Sequence, residues 1–523
     1  MIKKLEMLTA LLFLSATVAF ATGGPDPSLG SEAAVQPVVA VNAGVSSSDA
    51  ALPANETSPE ADANAAEAVV ENAKPLTMRQ QAAAKYDKFH PWDWHVMHFP
   101  TVADTIDPEI GGIRDSLAQH GIGFLLAPNI TFVDNLENPP MYGAAGAPYG
   151  PVPKGTGQGY NGQKPTAYGA QQSWMTFTSF KTDLQLVVSI NDTFTTYEQG
   201  FGVTDARFGG IYLNKLLLKK KLIISAGWVP VPFQSVGLYT GGNMAGSVLG
   251  VTAILQNQAG QDFPFAPAPA VTARYDFKKG FYAWGAIQRS NSTWGASNWH
   301  DMLYLPFEIP GAKPVYQAEF GNRSEATPNS RFFFERATFI YNASSTFDFT
   351  KGPMAFLGYL GGQPYTARKS PNMANMASSN YALSNSIDFQ VKQIDSDHPV
   401  RGFYVGNTAQ MSPTDQNLFT RYFEVRGYVK GLFNARPMDM ITVMANYVGF
   451  SKPAVADFAV LDAVVFKEAP STSSGQENYA VTYVCHVAPG WWWNAGLEKV
   501  THPTFAPTTP NAFNFTTAIT MFF

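Results

Sequence analysis

Tyr422, Glu424, Arg426, Tyr428 and Lys430 stand at every second position of one stretch, and Phe423, Val425, Gly427, Val429, Gly431 and Phe433 fill the positions between. Side chains of a strand alternate between faces. The spacing therefore predicts a strand over 420–433 with one charged face and one apolar face. A charge facing lipid at mid-depth costs about 2–4 kcal/mol, so the charged face belongs to a watery lumen. These five residues are the first candidates for a solute pathway. An ion ladder that braces the wall and touches no solute is the alternative. Arg207, Tyr212, Arg274 and Trp284 are further lumen candidates on other alternating stretches.

A lumen needs a wall. Period-two patterning predicts strands at about 122–133, 172–181, 183–198, 205–218, 221–229, 270–278, 281–289, 331–342, 352–360, 384–392, 401–409, 420–433, 438–450, 478–488, 491–500 and 512–523. The connections sort by parity. The long ones, 134–171, 230–269, 290–330, 361–383 and 451–477, are all odd-numbered and rich in Gly, Pro, Asn and Ser. Even-numbered ones are mostly tight, such as Lys219-Lys220, Lys279-Gly280, Asn434–Pro437 and Pro489-Gly490. That asymmetry predicts an all-β fold, a transmembrane antiparallel β-barrel of about sixteen strands with loops outside and turns in the periplasm. A soluble β-sandwich or propeller has no reason to sort loops this way; an all-β jelly roll or surface adhesin is the alternative fold. Asn511–Phe523 alternates to the chain end and is the expected closing strand, paired with the strand near Ile122–Val133.

Composition agrees. Only 14% of the 523 residues are charged while 13% are aromatic, against roughly a quarter charged in soluble proteins. Mean hydropathy is near zero, as alternation requires, and no run suits a membrane-spanning helix. Residues 1–21 read as a secretory signal: Lys3 and Lys4, an apolar run, then Ala19-Phe20-Ala21. Residues 22–85, rich in Ala, Pro and Ser, are expected to be a disordered leader, with helical composition at Ala61–Ala73. Residues 86–120 are expected to form an aromatic and histidine collar (Phe89, Trp92, Trp94 and Phe99 around His90, His95 and His98) and a short helix, Ile106–His120. The barrel is expected over 121–523. One cysteine, Cys485, rules out an intrachain disulfide and reads as a wall-facing residue. Net charge −5 argues against nucleic acid.

Four ordered stretches resemble the carbohydrate-selective porin family of OprB type: Gly112-Ile113-Arg114 through Phe124; Ala206-Arg207-Phe208 through Gly227; Pro267 through Arg274; and Tyr428–Asp439 (YVKGLFNARPMD) with Glu477–Val500. The resemblance covers about 95–523. It implies a sixteen-stranded outer-membrane barrel through which small sugars diffuse passively into the periplasm, as a monomer or homotrimer. Aromatic faces stack on pyranose rings, and Arg and carboxylates bond hydroxyls in pairs. Arg207 matches the family arginine, but Gly210, Tyr212 and Asn214 replace the acidic and Trp positions that follow, and Trp491-Trp492-Trp493 expands the tail aromatic. Substrate preference is therefore open.

Other constellations carry less. The three collar histidines lack a completing ligand set, Asp395 and Asp397 lack the rest of a calcium loop, and Gly143, Gly146 and Gly150 lack a following Lys-Ser/Thr. No cofactor, metal site or enzyme motif is expected. Trp491–Trp493 follow a tight turn and read as an interfacial girdle. Phe523, the terminal aromatic, resembles the signal used by barrel-assembly machinery. A plugged barrel with a surface-binding or structural role, the leader serving as plug, is the second functional reading.

Overall fold

The computed structural model describes residues 76–92, 99–137, 166–195, 205–235, 254–261, 267–290, 313–344, 346–353, 376–467, 469–470, 472–502 and 511–523. Sixteen antiparallel strands close a barrel. In chain order they are β1 Ile122–Asn135, β2 Thr166–Ser179, β3 Leu184–Thr195, β4 Asp205–Leu217, β5 Leu222–Val229, β6 Ala268–Asp276, β7 Phe281–Arg289, β8 Pro314–Ser324, β9 Phe333–Asn342, β12 Asn380–Gln393, β13 Gly402–Met411, β14 Phe419–Lys430, β15 Met440–Phe450, β16 Gly475–Ala488, β17 Trp491–Thr501 and β18 Ala512–Met521. The two missing numbers, β10 Thr346–Phe347 and β11 Met376–Ala377, make a separate ribbon. Each strand pairs with its neighbours in sequence along the wall, and β18 returns to pair with β1. Closure gives every wall strand a neighbour on both sides, which is what a membrane-spanning sheet requires.

The alternation has its expected physical sense. On β18, Asn514, Thr516, Ala518, Thr520 and Phe522 are buried on the inner side, while Ile519 is exposed on the outer. Exposed apolar side chains such as Phe320, Val443 and Phe423 form the outer surface. Among the described residues no helix is long and apolar enough to cross a membrane.

Two sequence expectations change in a compensating way. The described barrel closes without a strand at 352–360: Gly352 follows a single helical turn, Phe349–Lys351, and 354–360 lie outside the described residues. The sixteenth wall strand is β8, inside the stretch read as a loop over 290–330. Tyr316 and Phe320 face out while Val315, Gln317 and Glu319 face in. Its polar inward residues and the charges at its end made it look like loop. Since one strand was added and one omitted, the parity of the connections survives.

The long connections carry short helices, Val231–Ser235, Ile254–Gln258 and Lys452–Leu461. At the short-turn end the chain before β1 folds as a helix Met78–Tyr86, two single turns, Asp87–Phe89 and Val102–Asp104, and a helix Ile113–Ala118. A capping box between Thr77 and Gln80 starts the first helix, inside the stretch read as leader. Gly121 ends the last at φ +75°, and a Cβ there would meet the Thr178 carbonyl at 2.5 Å. Ala61–Ala73, Trp94, His95 and His98 lie outside the described residues. Cys485 is half-buried. Of the three tryptophans, Trp491 and Trp493 are exposed outward but Trp492 turns inward, because a strand start splits neighbours between faces.

Candidate solute pathway

On β14 the inner face holds Tyr422, Glu424, Arg426 and Tyr428, all buried, while Phe423 and Val425 are exposed on the outer face. Arg426 is the centre of this group. Its Nε donates to Asp388 Oδ1 at 2.9 Å and its Nη2 to Asp388 Oδ2, a forked pair. Nη1 donates to Glu424 Oε1 at 2.6 Å and to Thr408 Oγ1 at 2.9 Å. Tyr422 donates to the second oxygen of Glu424, and Tyr428 to Asp388 at 3.2 Å. One guanidinium thus serves two carboxylates, and the excess charge of the group is negative. Lys430 lies further along, its Nζ 5.3 Å from the Tyr404 ring centre. Tyr404 and Tyr428 stack at 4.8 Å with planes 9° apart.

The ladder register explains why distant residues meet. Arg274, Trp284, Glu319, Thr338, Ser384, Gln410 and Tyr422 are consecutive partners across neighbouring strands. A second row runs Asp388, Gly406, Arg426, Met444, Ala480, Glu498 and Asn514. Gly406 and Ala480 leave room beside the charged side chains on that row. At the far end of the first row Glu319 accepts from Tyr282 at 2.8 Å and from Thr338 at 2.7 Å. The Arg274 guanidinium lies 4.2 Å over the Tyr282 ring and donates to Asp276 at 2.8 Å.

The candidates named from sequence therefore divide. Tyr422, Glu424, Arg426 and Tyr428 form one bonded group. Arg274 and Trp284 belong to a second group around Glu319. Tyr212 is buried in the same inner apolar cluster as Trp284, Tyr404 and Tyr428. Arg207 pairs with Asn191 in the register, and its side chain lies outside the described residues. Four inner-wall residues escaped the sequence reading: Asp388, Tyr404, Tyr282 and Glu319. Asp388 and Tyr404 sit on strands already recognised, so their inward parity with Ser386 and Thr408 was the available signal.

A loop segment narrows the outer part of the lumen. The helix Ile254–Gln258 belongs to the connection between β5 and β6, yet it bonds to β12 and β14. Gln258 accepts from the Leu418 and Phe419 amides at 2.9 and 3.0 Å and donates to the Phe419 carbonyl at 3.1 Å. Asn380 donates to the Gln258 carbonyl at 3.0 Å. Ala259 is buried against Val315, Ile340 and Ala382, and Gln261 donates to Gln317 at 3.1 Å. Among the described residues no cluster of potential metal ligands occurs.

Comparison with known proteins agrees with this architecture. A structure of Pseudomonas putida OprB at high pH superposes with TM-score 0.63 at 14% identity, over 80% of this chain and 98% of that one. The low-pH structure of the same porin gives TM-score 0.46 at 12% identity, over 80% and 98%. A mutant of the Rh. blastica porin gives 0.40 at 8%, over 77% and 100%. Only the first of these, at TM-score 0.63 and 14% identity, bears on the architecture, and it speaks to the fold alone. No curated protein matches in sequence. The family described as carbohydrate-selective porin, OprB family, matches residues 178–523, more than half of the chain. The chain belongs to the OprB family of carbohydrate-selective porins, which are outer-membrane channels.

Proposed function

We propose that the barrel conducts small sugars passively from outside the cell into the periplasm. The reading rests on the family match over residues 178–523 and on a closed barrel whose inner wall carries aromatic and charged side chains. Tyr404 and Tyr428, 3% and 5% exposed, stack on one another beside the Asp388–Arg426–Glu424 group and shape the wall that bounds the solute path. A solute leaves bulk water, exchanges hydrogen bonds with the inner wall and leaves down its gradient. No step makes or breaks a covalent bond, so no enzymatic role is proposed. Binding has to stay weak for release.

Three further points belong to this reading. Residues 1–21 direct export, residues 22–85 are the leader in the periplasm, and Phe523 serves as a signal to barrel-assembly machinery. The outer surface faces outer-membrane lipid, and the protein works as a monomer or homotrimer. The test is conductance in planar bilayers: ohmic pores whose conductance falls when glucose or a glucose polymer is added. Pores indifferent to every sugar tried would remove the sugar assignment and leave the barrel standing.

A further inference from the structure

The seam between β1 and β18 is incomplete at its short-turn end. It is paired from Asn129↔Thr520 to Asn135↔Asn514, whereas β1 pairs with β2 from Ile122↔Phe177 to Val133↔Thr166. Leu126 and Phe523 add two reciprocal backbone bonds at 3.0 Å each. Among the described residues Leu126 is the last residue of β1 bonded across this seam, and Ile122–Leu125 have no β18 partner. Pro128 has no N–H to contribute. In an antiparallel ladder alternate residues address the same neighbour. Leu126 addresses β18, so Phe124 points the same way, toward the place where no strand continues. An open edge of this kind frays and invites wrong pairing.

The chain before β1 supplies what the sheet lacks there. Arg114 is buried, its Nη1 donates to the Phe124 carbonyl at 2.9 Å, and its guanidinium lies 4.5 Å from the Phe124 ring centre. Across the seam the Ile106 amide donates to the Phe522 carbonyl at 2.9 Å, while the Phe522 amide bonds Gly490. The buried Asp104 carboxylate accepts from the Gly490 amide at 2.9 Å and Trp492 Nε1 at 3.1 Å, and meets His486 Nε2 at 2.7 Å. On the opposite flank Thr176 donates to the Phe89 carbonyl at 2.5 Å and Gln185 to the His90 carbonyl at 3.0 Å. One segment is thus bonded to β2 and β3 on one side of the seam and to β16, β17 and β18 on the other. Arg79 stiffens it, donating to the carbonyls of Ala103, Thr105 and Ile106 at 2.9, 2.7 and 3.2 Å.

We infer that residues 79–92 and 99–118 act as a strap that locks the closing seam, with Arg114 bonding the Phe124 carbonyl that β18 leaves unpaired and Asp104 anchoring the far side. The strap precedes the first strand and bonds beside the last, so it fastens the seam from both sides. This goes beyond sugar passage and does not depend on it.

Hydrogen exchange followed by mass spectrometry on the full-length protein in detergent tests the strap. Arg114→Met and Asp104→Asn each remove charged hydrogen bonds. Exchange in peptides covering Ile122–Leu126 and Met521–Phe523 should accelerate by about tenfold or more, with β8 and β9 on the far wall unchanged. Where either variant fails to fold, Arg79→Gln, which loosens the strap without touching the wall, should give the same local acceleration. Unchanged rates at the seam, or equal acceleration in β8 and β9, would overturn the proposal.

Discussion

Replacing Arg426 by Met is the sharpest perturbation of the inner wall. The Arg426 side chain is 1% exposed, as is Glu424, and Asp388 is 7% exposed. Met keeps the aliphatic stem and removes the guanidinium donors to Asp388, Glu424 and Thr408, leaving only the Tyr428 and Tyr422 hydroxyls on the two carboxylates. Two buried carboxylates then face one another without a cation. Breaking a buried ion pair by removing one partner costs about 3–5 kcal/mol, and the shared guanidinium here puts Arg426→Met within that range. Adding Asp388→Asn removes one stranded charge, so the double variant should be more stable than the single one by about 1–3 kcal/mol. Denaturant titration followed by the gel mobility of the folded barrel measures both differences. Bilayer recordings give a second readout: the group loses its one positive charge, so cation preference should rise and block by sugar should weaken. If Arg426→Met matches the parent in stability, or the double variant is less stable than the single, the wall network is not organised as described.

The remaining predictions address other elements. Deleting Phe523 removes the two backbone bonds to Leu126 and lengthens the open part of the seam; insertion into outer membranes should fall while secretion to the periplasm is spared, measured by fractionation. Asp457 lies on the buried face of the helix Lys452–Leu461 with Ala454, Phe458 and Leu461, and burial pushes its carboxyl up to about 7 from 3.8. A raised carboxyl favours the folded loop fully below pH 3.8, and that contribution is lost as pH rises through 7. Exchange over 452–461 should therefore be slower at pH 5 than at pH 8, and Asp457→Asn should abolish the difference. Burial, with Arg114 nearby, holds the His90 imidazole down at about 3 from 6.5. Docking of the strap should weaken as pH falls below 6.5, by up to about tenfold per pH unit, and His90→Gln should remove that dependence in strap exchange rates.

Much of the fold could be read from the chain because a barrel writes itself as alternation. Phe423 and Val425 against Glu424 and Arg426 state their faces without knowledge of any neighbour. The parity of loop lengths, Lys279-Gly280 on one side and 230–269 on the other, orders the strands. β8 was missed because Gln317 and Glu319 are inward residues whose partners, Tyr282 and Thr338 among them, lie on other strands. The polar group around Arg426 was half legible. Tyr422, Glu424 and Tyr428 share its strand, but Asp388 comes from β12 and meets it only through the register. The strap was legible only as a short helix and the Gly112-Ile113-Arg114 stretch; what Asp104 and Arg114 bond depends on the register of strands far along the chain.

Liposome swelling with a panel of sugars, amino acids and salts of matched size tests the central claim most directly. Swelling that is fastest for sugars, and slowed for sugars alone by Tyr404→Ala or Tyr428→Ala, is the predicted result. Equal swelling for every solute of a given size, unchanged by those substitutions, would contradict it.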